Sequence, residues 1–155
     1  MGLSDDIAVL ANAPLFGLME HDALRLLAFA GEAQSLRTGE VLFRRGERAD
    51  AGYVVTRGAF ALDTGEDGRG PAFVAGPSCV IGKSALFLRG PRPATAIARE
   101  PSSVLRISPT LMRRVLEEFP TGAVALRRAL SEEMLTLSGG LERVRRRLAA
   151  IDERA

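Results

Sequence analysis

The strongest constraint on the fold is a series of short apolar runs between Ala33 and Ile107, separated by turns that contain glycine. The runs recur about every ten residues, and such spacing is typical of short antiparallel strands in a barrel or sandwich. We therefore predict a mainly β domain over residues 33–108. The expected strands are Ser35–Arg37, Val41–Phe43, Tyr53–Val55, Phe60–Leu62, Phe73–Val74, Ala94–Ala98 and Val104–Ile107. We interpret the third and fourth as a pair joined at Arg57-Gly58.

Helical patterns flank the predicted strands on both sides. Ser4-Asp5-Asp6 is an N-capping signal for a first helix, and Glu20-His21-Asp22 opens a second one that ends at Gly31. We expect Leu24, Leu27 and Phe29 to form the apolar positions of the second helix. The predicted organisation is N-terminal helices over 4–31, a barrel over 33–108, a helix over 109–119 and a C-terminal helix over 121–155.

Composition excludes several classes of function. The chain has 155 residues, a net charge of +2, one histidine and one cysteine. Neither His21 nor Cys79 has a second ligand or a nucleophile–base partner at a useful spacing, so we expect no metal site and no enzyme. Cys79 is predicted to be a small buried apolar residue. The weak charge and few aromatic residues argue against nucleic-acid binding.

No targeting or membrane signal is visible in the sequence. The N-terminus lacks the basic start and the apolar core of a signal peptide, and no apolar run approaches the length of a bilayer span. We therefore expect a cytoplasmic protein. Two local motifs also fail: Gly82-Lys83-Ser84 lacks the upstream glycine of a P-loop, and residues 63–70 lack the spacing of a calcium loop and its closing glutamate.

The stretch Val80–Thr95 has the features of an anion site. Gly82 permits a tight turn, and the residues after it can form one helical turn with free backbone amides. Arg92 follows with a forked guanidinium that suits a phosphate group. We therefore expect this stretch to hold an anion.

This stretch resembles the phosphate-binding cassette of the cyclic nucleotide-binding domains, which occur in the catabolite activator protein family and in protein kinase A regulatory subunits. Ile81-Gly82-Lys83-Ser84-Ala85-Leu86 resembles the family's Phe-Gly-Glu-Leu-Ala-Leu, and Arg92-Pro93-Ala94-Thr95 resembles its Arg-(Ala/Ser)-Ala-(Thr/Ser). The turns at Gly39, Gly46 and Gly58 are similar to those of the family. The resemblance implies a double-stranded β-helix, or jelly-roll, barrel and a cyclic AMP or cyclic GMP ligand.

Two positions depart from the family pattern. The family's glutamate accepts a hydrogen bond from the ribose 2′-hydroxyl, whereas Lys83 has no acceptor atom. The family also uses the backbone amide after its arginine, whereas Pro93 has no N–H group. Arg92 and the backbone amide of Ala85 remain as the expected anion contacts, and Lys83 adds a second positive charge that suits a more anionic ligand. Alternatively, the cassette has lost its ligand and Lys83 is a solvated side chain.

The C-terminal segment carries a heptad seam with spacings that alternate between four and three residues. Such a seam indicates a coiled coil and hence a homodimer. The alternative is a helix that folds back on the barrel. The resemblance implies that Thr136 and Ser138 cap the base of the nucleotide, and an exposed pair is the other interpretation. The seam residues are Leu130, Met134, Leu137, Leu141, Val144, Leu148 and Ile151.

The resemblance covers the chain from Pro14 onward and implies a regulatory or sensor domain. The related activators continue into a helix-turn-helix domain, and we expect no such DNA-binding element in this sequence. The predicted function is therefore binding of a cyclic nucleotide, with the signal passed through the C-terminal helix to a protein partner. The alternative is a dimeric scaffold that has kept the fold and lost the ligand.

Overall fold

The computed structural model describes residues 3–65, 73–86 and 90–129. Its strands form two four-stranded antiparallel sheets, with the strand orders β1-β8-β3-β6 and β2-β7-β4-β5. We call them sheet A and sheet B. The predicted jelly-roll barrel with flanking helices is confirmed. The strands are β1 Glu32–Leu36, β2 Val41–Phe43, β3 Gly52–Arg57, β4 Phe60–Asp63, β5 Phe73–Ala75, β6 Val80–Ile81, β7 Thr95–Ala98 and β8 Ser102–Ile107.

Several consecutive strands lie in opposite sheets. The predicted pair around Arg57-Gly58 is therefore wrong as a hairpin: β3 belongs to sheet A and β4 to sheet B. The turn at Gly58 has a φ of 83° and packs so closely on Ser102 that a Cβ atom would clash with the Ser102 hydroxyl. That hydroxyl also accepts a hydrogen bond from the amide of Ala59 at 3.0 Å. These contacts direct the chain across the edge of the sandwich.

Strand β3 lies between two hydrophobic clusters. Its side chains alternate between the two faces of sheet A, as the strand period requires. Tyr53 and Val55 point between the sheets and pack with Phe43 and Phe60, whereas Val54 points to the helices. Because both faces are covered, the first four residues of β3 are buried. This strand therefore connects the barrel interior with the helical layer.

The N-terminal helices cover the outer face of sheet A. They are α1 Leu3–Ala11 and α2 His21–Ala30, which confirms both predicted helices. Leu24 and Leu27 are buried, but the expectation for Phe29 is wrong because its side chain is 79% exposed. At 100° per residue, position 29 is turned well away from the face that Leu24 and Leu27 share.

The helix after the barrel begins as the sequence predicts. Helix α3 spans Pro109–Glu118, and the hydroxyl of Ser108 caps it by accepting from the amide of Leu111 at 3.1 Å. Residues 120–129 are again helical, and Leu126 is buried against the helical cluster. The predicted heptad seam starts at Leu130 and lies outside the described residues.

Candidate functional site

The cassette begins where β6 leaves sheet A. Val80 and Ile81 pair with β3, and Gly82 then turns the chain with a φ of 71°. A 3₁₀ helix follows over Lys83–Leu86. The side chains of Ala85 and Leu86 are each 2% exposed and fix this turn against the domain. The predicted tight turn and short helix are therefore present.

The backbone amide of Ala85 is not available in the way that the sequence suggests. It donates a hydrogen bond to the carbonyl oxygen of Gly82 at 3.0 Å, which closes the 3₁₀ turn. Since one N–H group has one proton to donate, an anion gains this donor only if the turn opens. In this structure the Ala85 amide is therefore engaged within the turn, and its contact with an anion stays a prediction.

Arg92 is almost completely buried, with 3% of its surface exposed. Its Nη2 donates a hydrogen bond to the carbonyl oxygen of Ala51 at 2.8 Å. The guanidinium carbon lies 4.2 Å from the centre of the Phe43 ring and 5.6 Å from that of Tyr53, so both rings offer cation–π contacts. The side chain thus lies inside the end of the barrel, between the sheets.

Burial is the main influence on the pKa of Arg92. It lowers the pKa of the guanidinium, and Tyr53, Asp50 and Glu47 offset part of this effect. Arg92 forms an ion pair with Asp50, whose Oδ1 lies 3.6 Å from Nη2. The Asp50 side chain is 70% exposed, so water screens its charge. The buried cation is therefore only partly compensated.

One nitrogen of Arg92 is left without a hydrogen bond. Nη1 is buried and has no partner in the part of the chain that the structure describes. It lies directly against Gly82, where a Cβ atom would clash with it. Buried N–H groups in native proteins nearly always have partners. The cassette therefore contains a buried guanidinium that lies against Gly82 and lacks a hydrogen-bond partner for Nη1 among the described residues.

The other predicted site residues lie around this centre. Lys83 is half-buried in the 3₁₀ helix, Ser84 follows it, and Ala94 is half-buried on the arginine segment. Pro93 is exposed. Thr95 lies at the start of β7, and its hydroxyl accepts from the backbone amide of Arg45 at 2.9 Å. Thr136 and Ser138 lie outside the described residues.

Sequence reasoning missed the residues that surround the guanidinium. Phe43 and Tyr53 have the pattern of ordinary core residues, and Ala51 contributes only a backbone carbonyl. Asp50 directly precedes Ala51, which is itself 41 positions before Arg92 in the chain. The acidic residue just before β3 was the one available signal, because a buried arginine needs a counter-ion nearby.

Within the described ranges, no group of three or more histidine, cysteine, aspartate or glutamate side chains is arranged to hold a metal, and no helix is long and apolar enough to cross a membrane.

Cys79 is half-buried beside the barrel core, which corrects the expectation of a buried residue. It directly precedes β6 in the chain.

Fold and site define a jelly-roll domain with an arginine buried beneath a glycine turn. A family model described as the cyclic nucleotide-binding domain matches residues 33–119, which include both sheets and α3. The chain therefore belongs to the cyclic nucleotide-binding domain family, whose members include regulatory and sensor domains.

Relatives and solved structures agree with this assignment. A cyclic nucleotide-binding-like protein from Brucella abortus is 38% identical, with a TM-score of 0.65 over 73% of this chain and 98% of that one. The N-terminal domain of a transcriptional regulator from Streptomyces coelicolor is 32% identical, with a TM-score of 0.78 over 86% and 94%. A cAMP-dependent protein kinase regulatory subunit from Blastocladiella emersonii is 29% identical over 84% of this chain. The chain spans 33% or less of the curated relatives it matches.

Proposed function

We propose that this domain is a sensor that binds a cyclic nucleotide, cyclic AMP or cyclic GMP or another anionic nucleotide, through a variant phosphate-binding cassette. The observation that carries the proposal is the buried guanidinium of Arg92, whose Nη1 has no partner among the described residues and lies against Gly82. A phosphate oxygen at this position accepts a hydrogen bond from Nη1 and neutralises the buried charge. Arg92 is thus the proposed anion-binding residue.

The remaining cassette residues have proposed roles that follow from their chemistry. Lys83 supplies a second positive charge beside the phosphate and removes the acceptor for a ribose 2′-hydroxyl. Pro93 removes one backbone donor, so the ligand depends more strongly on Arg92. The proposed binding set is Gly82, Lys83, Ser84, Ala85, Arg92, Pro93, Ala94 and Thr95, with Thr136 and Ser138 as residues that cap the base.

Calorimetric titration with cyclic AMP and cyclic GMP tests the proposal. We expect saturable binding by the unmodified chain and its loss in Arg92→Ala. Arg99→Ala is the matched control because Arg99 is an exposed arginine at the end of β7. It removes the same charge without touching the cassette and is expected to bind normally. Circular dichroism confirms that each variant is folded. Absence of binding by the unmodified chain at millimolar ligand contradicts the proposal.

A second candidate function is a scaffold that binds no nucleotide. It is favoured by hydrogen bonds that already occupy donors of the cassette: Nη2 of Arg92 donates to the carbonyl of Ala51, and the amide of Ala85 donates to that of Gly82. A scaffold ignores cyclic nucleotides and the Arg92→Ala change, but keeps its oligomeric state. The same titration, followed by light scattering, therefore separates the two functions.

We also propose that the domain forms a homodimer through the C-terminal seam. Ligand binding is proposed to shift the C-terminal helix relative to the barrel. The support is the alternation of four and three residues from Leu130 to Ile151. The domain is proposed to have no catalytic activity and to act on a protein partner. Light scattering of Leu137→Asp is expected to give a monomer mass. A dimer mass for this variant contradicts pairing through the seam.

A further inference from the structure

Asp50 lies between two arginines at the outer end of the site. Its Oδ2 accepts a hydrogen bond from Nη2 of Arg106 at 3.2 Å, whereas its Oδ1 lies 3.6 Å from Nη2 of Arg92. The contact with Arg106 is therefore a hydrogen bond, and the contact with Arg92 is a longer ion pair. Because the Asp50 side chain is 70% exposed, its position depends on these arginines more than on packing.

Arg106 is well placed to hold this carboxylate. It belongs to β8, its side chain is 23% exposed, and its Nη1 also lies 3.5 Å from Oε2 of Glu32. Burial acts to lower the pKa of Arg106, but hydrogen bonds and charge interactions with Asp50 and Tyr53 outweigh burial and raise it. Arg106 is thus a largely buried cation that holds Asp50 by a hydrogen bond.

Arg92 keeps its orientation without Asp50. Its Nη2 is bonded to the carbonyl of Ala51 at 2.8 Å, and one face of the guanidinium covers the ring of Phe43 at 4.2 Å. The effect of Asp50 on Arg92 is therefore chiefly electrostatic. A carboxylate this close lowers the positive potential that an incoming anion meets at Nη1.

We propose that Asp50 is an internal competitor for the anion that Arg92 binds, and that Arg106 limits this competition by drawing the carboxylate away from Arg92. The inference rests on the proposed function, and it makes Asp50 and Arg106 the residues that set the affinity of the site. Neither belongs to the cassette stretch. Loss of Arg106 frees the carboxylate to move onto Arg92, whereas loss of the Asp50 charge removes the competitor.

A double-mutant titration with cyclic AMP, repeated with inorganic phosphate, tests the competition. Asp50→Asn is expected to bind about three- to tenfold more tightly, and Arg106→Gln to bind more weakly by a similar factor. The double variant is expected to bind like Asp50→Asn, since a neutral side chain cannot compete. Arg114→Gln controls for net charge because Arg114 lies on α3 and pairs with Glu118. Weaker or unchanged binding by Asp50→Asn overturns the proposal.

A second readout does not depend on a ligand. The Nε–Hε NMR resonance of Arg92, assigned with Arg92→Lys, reports how closely a carboxylate approaches the guanidinium. Without ligand, Arg106→Gln is expected to shift this resonance, and adding Asp50→Asn is expected to reverse the shift. If neither the unmodified chain nor any variant binds cyclic AMP or inorganic phosphate, the proposed function fails. The NMR resonance alone then tests whether Arg106 draws the Asp50 carboxylate away from Arg92. A resonance that is insensitive to Arg106→Gln then overturns the competition.

Discussion

Substitution of Gly82 by alanine tests the geometry on which the proposed site depends. Gly82 has a φ of 71°, and a Cβ atom there would overlap Nη1 of Arg92. An alanine in this left-handed conformation costs about 1–2 kcal/mol. The methyl group also forces the guanidinium away and weakens its hydrogen bond to Ala51, which as a charged hydrogen bond contributes about 1.5–3 kcal/mol. We therefore expect Gly82→Ala to lower the free energy of unfolding by about 2.5–5 kcal/mol.

The chain offers a matched control in Gly39→Ala. Gly39 has a φ of 86°, and no described atom lies within 4 Å of a Cβ built there. This variant carries only the backbone cost of about 1–2 kcal/mol. Urea unfolding followed by circular dichroism compares the two variants. In an Arg92→Ala background, the cost of Gly82→Ala is expected to fall to that of Gly39→Ala, because the clashing group is gone.

Equal costs for Gly82→Ala and Gly39→Ala in the unmodified chain would refute this reasoning. Such a result would mean that Arg92 does not lie against Gly82 in solution. The buried Nη1 would then have no defined position, and the site would lose the observation that carries the proposed function. A full difference of 1.5 kcal/mol or more that disappears with Arg92→Ala supports the contact directly.

Three further changes give separate tests. Ser108→Ala removes the cap of α3 and is expected to destabilise the domain by about 1 kcal/mol in urea unfolding; no change would show that the cap is replaced. Ser78 has a φ of 69° and donates from its hydroxyl to the carbonyl of Val9 at 2.9 Å. Ser78→Ala is expected to cost about 1 kcal/mol, whereas Ser78→Gly regains most of that by relieving the backbone; an equal loss in both argues against strain. Lys83→Glu is expected to raise the preference for cyclic AMP over its 2′-deoxy analogue about tenfold in competition titrations, and equal affinities argue against this ribose contact.

Much of the fold is predictable because it depends on local signals. Ser4-Asp5-Asp6 in the first turn of α1 and Pro109 at the start of α3 mark helix starts directly, and the turn glycines divide the strands. Sheet membership depends instead on pairs distant in sequence, such as β1 with β8. The error at Gly58 has this origin, since a short turn between strands resembles a hairpin until Ser102 is known to fill the space behind it.

The candidate site was predictable in its cassette but not in the residues that surround the guanidinium. Arg92 is identified by its neighbours in sequence, whereas Phe43, Ala51 and Asp50 meet it only through the fold. An arginine with 3% exposure and an unpaired nitrogen among the described residues is costly for the free domain. Replacing buried charged groups by well-packed hydrophobic residues is often neutral or stabilising. Fold stability therefore does not account for this arginine, and its incomplete hydrogen bonding supports the proposed anion site.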